Sequence, residues 1–197
     1  MKNRMLTLVV LMFSAACSVA FAQKSVSEGI AEYRAMLQEG NPAELFKGAF
    51  VELPRYFSDT QKVQDMESRL LTCMETLQGF NASEISKTQF GKDEQNSVTA
   101  LAAWISGESK DMKFSLPQAH AKEKVMYEVG KRLFFQRGGT HDFSCASCHS
   151  EDSKRIRLQD LPNLTKNPGA GEGFGAWPAY RVSNGQMWGM QQRLNDC

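Results

Sequence analysis

At 197 residues, with 42% hydrophobic and 23% charged side chains, the chain is the size of one ordinary folded domain or two very small ones. Its 23 basic and 22 acidic groups leave a net charge of +1, which gives no composition argument for a nucleic-acid partner. Gly (15) and Pro (6) are too few for a fibrous or low-complexity protein, and five cysteines are too few for a disulfide-dense scaffold.

The chain opens with two cations, Lys2 and Arg4, then an almost unbroken apolar run over Met5–Phe13, and closes this segment with Ala20-Phe21-Ala22. That order reads as a secretory signal peptide, residues 1–22, cut after Ala22 and removing Cys17. Ser14 and small residues interrupt the run before it reaches the ~20 residues a membrane span needs. No later apolar run is long enough either, so the expected mature protein is exported, soluble and periplasmic.

Helical periodicity dominates the rest of the chain, and the fold class expected is mainly α. Val26–Gln38 is an amphipathic stretch stopped by Gly40-Asn41-Pro42. Thr60–Leu77 spaces Val63, Met66, Leu70 and Met74 as one helical stripe, and Asn96–Ser106 comes next with Val98, Leu101, Ala102 and Ile105. Residues 107–117 are polar and break the pattern, which places a boundary between residues 23–117 and 118–197. A helix over about Ala119–Phe135 opens the second part, with Val125, Val129 and Leu133 on one side. Beyond His149, prolines and glycines forbid long elements; the Gly-rich run 169–175 opens no helix and is no phosphate loop.

One internal echo links the parts. Arg69-Leu70-Leu71-Thr72-Cys73 and Arg193-Leu194-Asn195-Asp196-Cys197 both read Arg-Leu-x-x-Cys, with Glu67 or Gln191 two residues before the arginine. A degenerate tandem duplication accounts for this.

Cys145-Ala146-Ser147-Cys148-His149 carries the chemistry. The chain's own composition predicts about 0.002 such motifs by chance, so it is not a coincidence of cysteine content. Two thiols at this spacing can form thioethers to the two vinyl groups of one haem, and His149 is then delivered to the iron as proximal ligand. A thioredoxin-like pair lacks its βαβ setting, and a zinc site lacks two further nearby ligands. Met187, Met190 and Cys197 are the downstream candidates for the sixth iron ligand. A methionine there makes a simple electron carrier, whereas a thiolate makes a reactive sulfur site. Cys197 has a third use, a disulfide with Cys73. His120 and His141 read as ordinary surface histidines, and Lys154-Arg155-Ile156-Arg157 as a solvated basic face able to steer anions.

With Leu161-Pro162, Trp177-Pro178-Ala179-Tyr180-Arg181-Val182 and Gln192-Arg193-Leu194 ahead of Cys197, the haem segment resembles the SoxA family. These are the catalytic cytochrome subunits of the SoxAX complexes of bacterial thiosulfate oxidation. The resemblance implies two tandem cytochrome c-like domains, the first without haem because it holds only Cys73. It implies a single haem c on Cys145 and Cys148, His149 and a persulfidated Cys197 as axial ligands, and Arg193 beside the substrate. Thiosulfate would be joined oxidatively to a cysteine of a SoxYZ-type carrier, and the electrons would leave through a SoxX-type cytochrome. Single-haem relatives typically close a disulfide in the first domain, where the sequence shows no partner for Cys73. Relatives also continue past the ligand cysteine into a closing helix, so the sequence reads as a fragment or truncated gene with Val125, Val129 and Leu133 partly exposed.

Overall fold

The computed structural model describes residues 43–87, 97–156 and 158–196, so the amphipathic stretch at Val26–Gln38 and the proposed leader lie outside the described residues, as do Arg157 and Cys197. After a helical turn α1 (Ala43–Phe46) and a 3-10 turn at Phe50–Glu52, the chain forms a short antiparallel hairpin, β1 (Arg55–Phe57) and β2 (Lys62–Gln64). Helix α2 (Met66–Gln78) comes directly after it, then α3 (Ala82–Lys87) and α4 (Ser97–Gly107).

The stripe read over Thr60–Leu77 is a helix only from Met66. Its first residues are the turn and return strand of the hairpin, where Val63 faces Tyr56. Asp65 makes the break: its carboxylate accepts from Ser68 N (2.9 Å) and caps α2 at its N-terminus. At the other end Gly79, at φ 70°, takes the left-handed closing position that glycine occupies without strain. Met66, Leu70 and Cys73 line the buried face of α2 and pack with Val98, Ala102 and Ile105 of α4, Phe46 and Phe57. This is the apolar core of the first half. Cys73 is 1% exposed and disulfide-bonded, and because Cys145 and Cys148 are free its partner lies outside the described residues.

The connection over residues 108–120 is tied down. Ser115 N donates to Val51 O (2.9 Å), and Phe114 packs between Phe50 and Phe174. Helix α5 (Ala121–Phe135) then starts under a cap that sequence reasoning missed. His120 Nδ1 accepts from Lys122 N (3.2 Å), and the imidazole stacks on Tyr56 with centroids 3.6 Å apart. Buried Glu123 accepts from His120 N (3.0 Å) and from Tyr56 N (2.7 Å), fastening α5 to the first hairpin. His120 is therefore a structural cap rather than a free surface group.

Beyond α5 come α6 (Cys145–His149), a two-residue ribbon β3 (Arg155–Ile156) with β4 (Gln159–Asp160), and α7 (Gly169–Gly175). The glycine run does form a helix, contrary to expectation. Glu172 N reaches Pro168 O (2.9 Å), Phe174 lies on Phe114, and Gly173 leaves room for Leu164 and Pro162. These contacts outweigh the poor helix propensity of glycine. A second hairpin, β5 (Ala179–Arg181) with β6 (Gln186–Trp188), leads into α8 (Met190–Asp196).

The echo is longer in three dimensions than in sequence. A constant offset of 124 residues, Arg69 to Arg193, carries β1 onto β5, β2 onto β6 and α2 onto α8 with the same strand register. It also carries Pro54 onto Pro178, Tyr56 onto Tyr180, Met66 onto Met190, and the left-handed turn residue Gln61 (φ 54°) onto Gly185 (φ 67°). A hairpin–helix unit is thus present twice. The copies differ in burial: among the described residues after Pro117, Trp188 is the sole buried apolar side chain. Val125 (60%) and Leu133 (58%) on α5 are exposed as the sequence suggested, and Val129 is half-buried.

Candidate active site

Helix α6 is one and a half turns long and consists entirely of the Cys145–His149 motif. Ser144 caps it: its Oγ accepts from Ser147 N (3.2 Å), while Ser147 Oγ accepts from Ser144 N (3.0 Å). At the far end Ser150 donates through both its amide and its hydroxyl to Ala146 O. Such bracketing allows five residues to hold a helical turn they could not sustain alone. Cys145 and Cys148 are both free thiols, the first exposed and the second half-buried, and their spacing of three puts them on one face.

His149 is oriented from behind. Its Nδ1 lies 2.9 Å from Pro162 O, and a carbonyl can only accept, so Nδ1 carries the proton and Nε2 keeps its lone pair. Leu164 N donates to His149 O (2.8 Å), which ties the motif to the Pro162 loop a second time. An imidazole so fixed is prepared to bind a metal through Nε2. Together with the paired thiols, this donor set fits covalent haem: two sulfurs for the vinyl groups and one nitrogen for the iron. α5 packs directly on α6.

Met187, on β6, and Met190, at the start of α8, are both half-buried. Arg193 lies on α8 with its side chain 28% exposed, and its Nη1 pairs with Asp196 Oδ2 at 3.0 Å. Its counterpart Arg69 is 1% exposed, pairs with Asp59 at 2.8 Å, bonds Gln64 Oε1 and covers the Phe57 ring at 4.1 Å. The offset that relates the two arginines puts Ser183 where Asp59 stands and Arg181 where Phe57 stands. The second hairpin therefore lacks the carboxylate that neutralises the first arginine. Arg181 stacks instead on Trp188, 5.0 Å from its ring centroid. His141 is exposed and beside Phe143, 6.1 Å between centroids. Lys154 and Arg155 are each paired to a neighbouring carboxylate, Glu151 and Asp160.

Sequence reasoning missed Glu67. It is 6% exposed, and burial above all, with the charge of Asp65, pushes its carboxyl pKa up to about 7 against a lesser opposing hydrogen bond from Thr99. It lies against Gly189, the residue preceding α8.

Thiol pair, adjacent oriented histidine and mainly helical frame define a c-type cytochrome. The family model of the SoxA/TsdA cytochrome c domain matches residues 37–114, the half that lacks the Cys-x-x-Cys-His motif, and a cytochrome c domain implies haem c. The L-cysteine S-thiosulfotransferase subunit SoxA of Hydrogenophilus thermoluteolus is 46% identical over 86% of this chain and 74% of its own length. That of Hydrogenobacter thermophilus is 35% identical over 80% of this chain and 56% of its own. The crystal structure of SoxXA from P. pantotrophus superimposes with a TM-score of 0.63 at 20% identity, over 98% of this chain and 64% of that one. The chain belongs to the SoxA family of L-cysteine S-thiosulfotransferase subunits.

Proposed function

We propose that the protein oxidatively couples thiosulfate to a cysteine of a SoxYZ-type sulfur carrier and passes the electrons to a SoxX-type cytochrome. A solved relative, SoxXA of P. pantotrophus, supports the partner. One S–S bond forms between the outer sulfur of thiosulfate and the carrier thiol, the S–H bond breaks, one proton goes to solvent and two electrons leave. When bound, haem c supplies the path for those electrons.

Each residue then has a task. Cys145 and Cys148 would hold a single haem by thioethers, and His149 would ligate through Nε2, its ring fixed by Pro162. Cys197 would carry the reactive sulfur and serve as the second protein ligand, a role that requires its thiol to be free of the Cys73 disulfide. Arg193 pairs with the oxygens of the thiosulfate dianion through its planar fork. The first half, matched by the cytochrome c model but holding only Cys73, serves as a haemless cytochrome c-like domain over residues 23–117; residues 118–197 form the haem-binding domain. Lys2–Ala22 and the preceding Met1 make an export leader, so the working compartment is the periplasm; no helix among the described residues is long and apolar enough to cross a membrane.

The contrast between the two arginines carries this reading. Arg69 is buried on Asp59, whereas Arg193 stays partly exposed and, among the described residues, has only a neighbour on its own helix as anionic partner. Arg193→Lys tests it in the haem-loaded complex. Lysine keeps the charge but loses the fork, at a cost of about 1.5–3 kcal/mol, so kcat/KM for thiosulfate falls roughly tenfold or more. The intact mass of the carrier, read in parallel, reports the thiosulfate adduct. Wild-type kinetics in the lysine variant would place Arg193 outside the substrate site.

A further inference from the structure

Two contacts join the helices that carry the echoed arginines, and they are reciprocal. Glu67, two residues before Arg69, lies against Gly189, four residues before Arg193. Gln191, two residues before Arg193, donates from Nε2 to Asp65, four residues before Arg69, and to Ser68 Oγ (3.3 Å). Asp65 and Gly189 hold the same place in their helices: Arg69 N donates to Asp65 O (2.9 Å) and Arg193 N to Gly189 O (3.1 Å). Each helix therefore offers its N-cap residue to the second residue of the other. Residue i meeting j′ while j meets i′ is the pattern of two-fold pairing, here within one chain.

The fit is close. Gly189 is buried, and a Cβ there would stand 2.8 Å from Cδ and 2.9 Å from Oε2 of Glu67. Glu67 is itself buried, with the Thr99 hydroxyl of α4 at 3.5 Å from its Oε1. It has little room to retreat. α8 has only seven residues, and Leu194 on it is 66% exposed, so it borrows its pose from α2.

We propose that this clasp is a positioning device for the reaction: Asp65, Glu67, Gly189 and Gln191 set α8, and with it the direction in which Arg193 presents its guanidinium. The proposal rests on Arg193 as the anion-binding group. None of the four touches substrate; they act through α8, and a misplacement of about 1 Å at a reacting centre can cost around a hundredfold.

Gly189→Ala pushes α8 away from Glu67, and Glu67→Ala in the same chain removes the obstacle. In the haem-loaded complex, Gly189→Ala is expected to lower kcat/KM for thiosulfate roughly tenfold or more. It also shifts the visible haem spectrum, since Cys197 comes directly after α8. Haem content stays at the wild-type level, and adding Glu67→Ala brings both readouts back toward wild type. A wild-type kcat/KM in Gly189→Ala, or a defect that Glu67→Ala leaves in place, overturns the clasp. If Gly189→Ala does not fold, Gln191→Ala decides: a loss of kcat/KM with a shifted spectrum sustains the clasp, and wild-type values overturn it. Arg193→Lys is run beside them. Should it keep wild-type kinetics, the anion role of Arg193 falls, and the clasp is judged on the spectrum alone. A shift in Gly189→Ala undone by Glu67→Ala then sustains it, and an unshifted spectrum overturns it.

Discussion

Asp59 and Ser183 occupy the same place in two copies of one hairpin, and this is one of the differences that set buried Arg69 apart from partly exposed Arg193. Ser183→Asp returns a carboxylate to the second hairpin, where it should compete with thiosulfate for Arg193. The KM for thiosulfate is expected to rise several-fold, with the rise shrinking at high salt as the added charge is screened; an unchanged KM would mean that the two hairpins do not aim this position alike. Glu67 makes a separate prediction. Its folded pKa, about 7, lies above its ordinary value of 4.5, so the folded state holds the proton more firmly than the unfolded one. That contribution to stability is fully present below about pH 4.5 and is lost as pH rises through about 7. Urea unfolding at pH 5 and pH 8 should show Glu67→Gln gaining on the parent at the higher pH. A parallel pH dependence of the two proteins would contradict the burial-driven shift.

Short elements decide the site, and they are where the sequence was hardest to read. The long helices α2, α4 and α5 announced themselves by apolar spacing, and the haem motif by its cysteines. The three-residue strands did not, because three residues carry no periodicity to tell strand from helix. Val63 therefore joined the stripe of Met66 and Leu70, although Asp65 marked the true helix start. The glycine run of α7 was misjudged because its helix depends on Phe114 and the Pro162 loop, which are distant in sequence. The caps of α6 are local and make a local prediction. Ser144→Ala should cost about 1 kcal/mol, seen as a lower urea midpoint of the haem-loaded protein. A midpoint unchanged from the parent would show that the haem linkage alone holds the turn.

At the scale of the whole molecule, a short Arg-Leu-x-x-Cys match in the sequence marked a repeated hairpin–helix unit, with divergence hiding the rest. Burial separates the halves: the first closes its own apolar core around Leu70 and Ile105, while α5 in the second exposes Val125 and Leu133 beside the haem motif. Intact mass of the purified holoprotein is expected to show one haem and a chain beginning at Gln23; a second haem, or a retained leader, would contradict the organisation proposed. In the reaction proposed above, what makes this cytochrome an enzyme rather than a carrier is the sulfur at Cys197. Thiosulfate-dependent reduction of the partner cytochrome, measured with carrier protein present, tests that claim in Cys197→Ala. The account predicts that this electron release is abolished and that the visible spectrum shifts as the sulfur ligand is lost. Unchanged electron release and an unchanged spectrum would contradict it, leaving a carrier ligated by Met187 or Met190 in which Cys197 does no more than cross-link the chain.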